Sequence, residues 1–233
     1  YIPAVTSFCW YLCIPFQVLT AKMSSQLSVK ASSRPISPFS EKLIRVMDCL
    51  IAGICLLLCA PVFAFFYWRI HREDGGPAIF KQERIGLKGK PFYIYKFRTM
   101  HLEAEADGPQ LCEINGNDKR LLHIGRFLRD HHLDELPQLW NVFIGDMAFV
   151  GPRPERAYYI RMIMENDPRY EQLYRIRPGV TSYATLYNGY TDTMEKMLRR
   201  LELDLYYLEH RSIRLNFSIL WQTFYRVLSG RIF

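Results

Sequence analysis

Charge is missing from two long stretches of this 233-residue chain, residues 1–21 and the 20 residues from Cys49 to Trp68. Zinc-knuckle, helix-turn-helix and basic-zipper patterns are also missing. The net charge of +7 points to an anionic partner, for which nucleic acid, anionic lipid and a phosphorylated substrate all qualify. With no motif behind it, nucleic acid rests on net charge alone, and no nucleic-acid partner is expected. Cysteine is sparse. The six, at 9, 13, 49, 55, 59 and 112, lie mostly in uncharged apolar stretches rather than at disulfide-like spacing, which fits free thiols in a reducing compartment. Cys9 and Cys13 have no histidine or second cysteine pair beside them to complete a zinc site. Apolar residues at 49% and charged residues at 23% exclude a disordered chain, and the length suits one compact domain plus attachments.

Residues 1–21 include Phe8, Trp10, Tyr11 and Phe16 but also Pro3 and Pro15. They read equally as the end of a transmembrane helix from a longer parent, a signal-like segment, or sequence upstream of a start at Met23. The lack of a preceding basic stretch weighs against a secretory signal. From Lys22 to Ser40 the chain turns Ser- and Pro-rich, a linker composition. The expected organisation is therefore a tail or linker over 1–40, a membrane segment over 41–70, and a catalytic domain with C-terminal amphipathic helices over 71–233.

Cys49–Trp68 is about the length a helix needs to cross a bilayer core. Lys42 and Arg45 precede it, and Arg69, Arg72, Lys81 and Arg84 follow, whereas a spanning helix carries a marked cation excess at one end. Cations on both flanks favour a re-entrant path with both ends on one face. Pro61 is the expected bend, since it lacks an N–H and its ring clashes with the preceding turn. Asp48, close to Arg45, reads as a structural pair or cap.

The densest run of non-interchangeable residues is His131 to Glu155. Leu136, Leu139, Trp140 and Phe143 recur at i, i+3, i+4, i+7, predicting a short buried helix near 135–144 that Gly145 ends. Pro137 is tolerated only in a first turn, so the helix should begin near Asp134 or Glu135 and carry both carboxylates at its N-terminus. A helix start also favours an incoming phosphate. Arg126, Arg129, Arg153 and Arg156 lie close in sequence, and Pro152 and Pro154 restrict where Arg153 points. Guanidinium forks match phosphate oxygens two at a time. An Asp-Glu pair among such arginines suits phosphoryl transfer, through an aspartyl-phosphate or a carboxylate-held divalent metal. Taken singly, an Asp-Glu pair is more often a solvated cap, and His131-His132 more often a polar connection than an acid, base or ligand pair.

Residues 78–100 read as a β-hairpin with turn signals at Gly86 and Gly89-Lys90-Pro91, and with Lys96 and Arg98 on one strand face. Residues 101–118 read as a polar loop, and Leu121–Arg129 and Ala157–Glu165 as helices. Met194, Met197, Leu198, Leu201, Leu205 and Leu208 make a helical stripe. The last helix, Phe217–Leu228, suits either a membrane interface or core packing.

Leu133-Asp134-Glu135-Leu136-Pro137-Gln138-Leu139-Trp140-Asn141-Val142, then Gly145-Asp146-Met147 and Gly151-Pro152-Arg153-Pro154, resembles a known family together with a second motif. That motif is Phe80-x-Gln82-x-Arg84-x-Gly86, continuing to Tyr95-Lys96-Phe97-Arg98-Thr99-Met100. The family is the bacterial sugar transferases, or monotopic phosphoglycosyl transferases, and the likeness covers roughly residues 40–225. The fold class expected is mixed α/β, helix-rich with a small β-hairpin or sheet, attached through a re-entrant helix. Family members often bend at Ser-Pro, and here Ala60 precedes Pro61. Arg177-Pro178-Gly179-Val180-Thr181 resembles a family motif near the nucleotide, but Ser182 stands where the family has glycine and Tyr190 where many members have arginine. The choice of sugar stays open.

The resemblance implies transfer of a sugar-1-phosphate from a UDP-sugar to undecaprenyl (polyprenyl) phosphate with release of UMP, at the cytoplasmic face of a bacterial inner membrane. Asp134 would be the nucleophile, Glu135 would help hold Mg²⁺ or manage a proton, and Arg129, Arg153, Lys96, Arg98 and Arg177 would bind substrate. A cation has a physical reason to be there. Carboxylate and diphosphate about 4 Å apart repel by on the order of several kcal/mol at an effective dielectric near 20. A polyprenyl tail leaves the bilayer at a cost of about 0.8 kcal/mol per CH₂, so membrane lipids are partners too and the nucleophile must come to the headgroups. A homodimer is left open. Two other functions stay in view: a membrane-attached phosphohydrolase using the same residues, and a non-catalytic membrane scaffold.

Overall fold

The computed structural model describes residues 36–104, 118–189 and 191–229. Residues 1–35 of the tail expected over 1–40, most of the loop expected over 101–118, Tyr190, and Cys9, Cys13 and Cys112 lie outside those residues.

Helix α1, Pro38–Asp74, runs 37 residues, about 55 Å at 1.5 Å per residue. It starts where sequence signals coincide: Ser37 accepts from the Ser40 N–H and Pro38 occupies the first turn, where no donor is needed. It ends where Gly75 takes φ 73° and donates to the His71 carbonyl. The helix is long and apolar enough to cross a membrane, and only 11% of its most apolar 18-residue window is buried. It continues through Pro61 without a break in helical structure.

Both ends of α1 dock on the same domain. Near the start, Arg45 donates to the carbonyls of Val142 and Phe143 at 2.5 and 2.8 Å, and Glu41 pairs with Arg211. Arg45 thus caps another helix while its charge acts on Asp48, which also accepts from the Phe149 backbone; burial outweighs both and pushes the Asp48 carboxyl up to about 6. At the far end Glu73 accepts from the His123 N–H at 2.6 Å, and Asp74 pairs with Arg98 at 2.5 Å.

The rest is helix-rich, with two small sheets. β1 (Ile79–Ile85) and β2 (Pro91–Phe97) form the expected antiparallel hairpin, Ile79 facing Phe97. α2 (His123–Asp130) and a single 3₁₀ turn, Leu133–Glu135, lead to α3 (Gln138–Ile144). β3 (Ala148–Val150) pairs in parallel with β4 (Gly179–Thr181), and α4 (Ala157–Asn166) and a 3₁₀ segment, Pro168–Arg175, lie between them in sequence. α5 (Tyr183–Asn188), α6 (Met194–His210) and α7 (Ile213–Leu228) complete the chain. α7 packs Leu215, Ile219 and Leu220 into the core and leaves Phe217, Trp221, Phe224 and Tyr225 exposed.

Two close approaches need glycine. A Cβ on Gly125 would lie 2.0 Å from the Thr99 carbonyl oxygen, and one on Gly179 would lie 2.1 Å from the Gly151 nitrogen. The first lets α2 press on the end of the hairpin, and the second brings the Arg153 loop against β4.

α3 is turned over relative to its sequence pattern. Trp140 and Phe143 are exposed, and the buried positions are Gln138, Asn141 and Val142. Periodicity identifies an apolar face but not the medium it meets. Asn141 is fully buried because it completes β2: its side-chain amide donates to the Tyr93 carbonyl at 2.7 Å, and its oxygen accepts from the Tyr95 N–H at 3.1 Å. Asn141→Ala, which strands both strand groups, is expected to destabilise the protein by about 2–4 kcal/mol in denaturant titration. A loss below about 0.5 kcal/mol would show that α3 is not locked to β2 this way.

Candidate active site

The carboxylate pair sits on the 3₁₀ turn, not on a helix N-terminus. His132 enters it with φ 52°, Leu136 donates back to the Leu133 carbonyl, and Pro137 precedes α3, which begins only at Gln138. Any benefit from the α3 dipole fades beyond its first turn, so charges from elsewhere must set the pair's ionisation. Leu133 and Leu136 flank the pair and pack against the cluster of Phe66, Ile70, Phe97 and Leu128. The turn is thereby seated on the second half of the apolar helix α1. Asp134 lies between these anchors and is 8% exposed.

Glu135 is the meeting point of two cations. Lys96 Nζ donates to its Oε1 at 2.5 Å, and Arg153 Nη2 reaches the same oxygen at 3.2 Å. Burial pushes the Glu135 carboxyl up, but Lys96 and Arg153 together outweigh it and hold the group well below the usual carboxylate range. In return Glu135, above all, raises the Arg153 guanidinium, which is permanently charged. Asp134 shows the opposite balance: burial lifts its carboxyl above the ordinary value, and the Glu135 charge adds to the rise against Lys96, Arg129 and His132. Two adjacent carboxylates are thus pushed apart, one firmly anionic and one basic enough to take a proton or attack an electrophile.

Arg129 donates from Nε to Thr99 Oγ1 at 2.9 Å and acts on Asp134 through its charge. Arg153 is half-buried beside the pair, keeping 36% of its side-chain surface exposed. Asp134, Glu135, Lys96, Arg153 and Arg129 therefore come together. Arg98 and Arg177 do not. Arg98, 5% exposed, is held by Asp74 at 2.5 Å and the Pro77 carbonyl at 2.6 Å, joining the end of α1 to the hairpin. The strand ends at Phe97, so alternation no longer places Arg98 beside Lys96. Arg177 donates from Nε to the Gly145 carbonyl at 2.9 Å, at the far end of α3.

Sequence reasoning gives neither Glu155 nor Arg84 a place in the site, Arg84 counting only as a flanking cation and a motif residue. Arg84 donates to the Pro154 carbonyl at 3.1 Å and to Glu155 at 3.4 Å, fixing the loop that carries Arg153. The signal is the Gln82-x-Arg84 motif itself, since Gln82 orients the Arg84 guanidinium. Among the described residues no cluster of three or more metal-ligating side chains exists. What is present is a carboxylate pair, the small donor set that Mg²⁺ combines with phosphate oxygens and water.

The family model for "Bacterial sugar transferase" matches residues 39–230. The chain belongs to the bacterial sugar transferase family. Among curated sugar transferases, a UDP-glucose:undecaprenyl-phosphate glucose-1-phosphate transferase of Klebsiella pneumoniae is 32% identical over 97% of this chain and 48% of its own length. One with the same description from Caulobacter vibrioides is 39% identical over 77% of this chain and 67% of its own. A UDP-N-acetylgalactosamine-undecaprenyl-phosphate N-acetylgalactosaminephosphotransferase of Aeromonas hydrophila is 34% identical over 83% of this chain and 45% of its own. The chain spans about half the length of the Klebsiella relative.

The Lys96–Glu135 contact has a measurable consequence. The low Glu135 value makes its pairing stabilising above the usual glutamate pKa of about 4.3, and that contribution is lost as pH falls through the folded-state value. Lys96→Met is expected to lower stability by about 1–3 kcal/mol at pH 7, with the gap to wild type narrowing in acid. A gap independent of pH would place the cost in packing rather than charge.

Proposed function

We propose that this sugar transferase moves a sugar-1-phosphate from a UDP-sugar to polyprenyl phosphate in two displacements. Asp134 attacks the β-phosphorus, the bond from that phosphorus to the bridging oxygen breaks, and UMP leaves. The acceptor's phosphate oxygen then attacks the aspartyl phospho-sugar, forming a lipid diphosphate-sugar and freeing the carboxylate. The observation that carries this reading is the placement of Asp134, buried yet beside the half-buried Arg153, on a turn seated against an apolar helix.

Lys96 and Arg153 have two tasks. They keep Glu135 anionic, and Arg153 offers its remaining donors to the diphosphate. Arg129 sets the field on Asp134 and neutralises the developing charge. Asp134 and Glu135 would hold Mg²⁺ with the diphosphate oxygens; the ion supplies the charge neutralisation that lets carboxylate and diphosphate approach. The remaining chemistry falls to the chain's own groups. Because the acceptor cannot leave the bilayer cheaply, α1 has to set the depth of the site. We place the domain on the cytoplasmic face with α1 re-entering a single leaflet; contacts from both ends of α1 to one domain favour that path, whereas the helix, unbroken through Pro61, supplies no bend for it.

UMP release from a panel of UDP-sugars, measured with and without polyprenyl phosphate, tests the reaction. Wild type is expected to turn over with lipid acceptor, and Asp134→Asn to lose at least about 10³-fold. Full turnover in that variant would remove Asp134 as nucleophile, and free sugar phosphate formed without lipid would point to a hydrolase.

A further inference from the structure

Arg153 also lines a second space, small enough for about one water, together with Glu155, Tyr170, Arg200 and Asp204. Asp204 on α6 is 2% exposed, and its Oδ1 has no hydrogen-bond partner among the described residues. A buried, unpartnered carboxylate oxygen is costly and calls for an explanation. Its neighbours form a chain of charges leading back to the active site. Arg200 donates to Glu155 Oε1 and Thr191 Oγ1, and Arg84 donates to Glu155 Oε2 at 3.4 Å. Glu155 in turn acts on Arg153 through its charge.

We infer that Asp204 is a positioning residue for the donor site. When uncharged, it leaves Arg200 on Glu155 and Arg153 turned to a donor phosphate; when charged, it draws Arg200 away and lets Glu155 compete for Arg153. The inference rests on the proposed role of Arg153 in holding the diphosphate.

The groups facing Asp204 support a charge change near neutral pH. Burial pushes its carboxyl up to about 7, Arg200 on the same helix opposes the rise, and Glu155 adds to it. From the 3₁₀ segment comes Tyr170, itself raised well above its ordinary range by burial and therefore neutral, while α4 contributes the apolar Ile160 and Ile163. The sign for stability follows. A raised carboxyl means that the folded protein keeps a proton which the unfolded chain releases near pH 4, so stability falls as pH rises from there to about 7. Asp204→Asn keeps the shape and removes the titration.

The test is donor kinetics of the full chain in detergent, with UDP-glucose and UDP-N-acetylgalactosamine, at pH 6.0 and 8.5, alongside thermal unfolding. Wild type is expected to show a donor KM about five- to tenfold higher at pH 8.5, the effect of weakening one charged contact, with kcat changing less. Asp204→Asn should match wild type at pH 6.0, lack the rise, and gain thermal stability over wild type as pH increases. Arg200→Gln, which frees Glu155 directly, should show the raised KM at both pH values. An Asp204→Asn profile that tracks wild type, or an Arg200→Gln KM equal to wild type at pH 6.0, overturns the inference and leaves the proposed reaction standing. No UMP release by wild type from either donor overturns the reaction and this inference with it.

Discussion

Glu135 accepts from Lys96 of β2 and from Arg153 of the loop after β3, and that shared carboxylate joins three distant parts of the chain. Its surroundings are mostly buried, so removing any one charge would leave the others uncompensated; the cluster fixes positions more than it adds stability. Asp134, one residue earlier, is placed by the same turn but sees a different balance, in which burial prevails over the cations. Two chemically similar neighbours thus acquire opposite shifts in acidity from their environments.

Helix α1 is a floor as well as an attachment. Its second half supplies Phe66 and Ile70, against which Leu133 and Leu136 seat the carboxylate turn. Its first half is fastened by Arg45 to the last carbonyls of α3, and the exposed Trp140 and Phe143 lie on that same short helix. The carboxylate turn and the exposed aromatic side chains therefore lie within one short stretch of sequence. A polar side chain, Asn141, then ties that stretch to β2, which delivers Lys96.

Much of this is legible in the amino-acid sequence. The hairpin, the end of α3 at Gly145, the helices beginning near His123, Ala157 and Met194, and the grouping of Asp134, Glu135, Arg129, Arg153 and Lys96 follow from local patterns and motif resemblance. What local pattern does not supply is partner choice across long sequence separations. Arg98 is claimed by Asp74, 24 residues away, and Arg177 by the Gly145 carbonyl, 32 residues away. The α3 face departs from expectation for another reason: an apolar stripe reads as core, whereas here Trp140 and Phe143 of that stripe face out and a buried asparagine faces in beside Val142. Glu155 and Asp204 escape a sequence reading because a carboxylate's significance depends on burial, which composition does not carry.

The central claim is that Asp134 becomes bonded to the phospho-sugar. Mass spectrometry of the chain, quenched after incubation with a turned-over UDP-sugar and no lipid acceptor, tests it most directly. The expected result is a phospho-sugar increment on the peptide containing Asp134, lost on adding polyprenyl phosphate. An increment on any other residue, or an unmodified chain during active turnover, would contradict it.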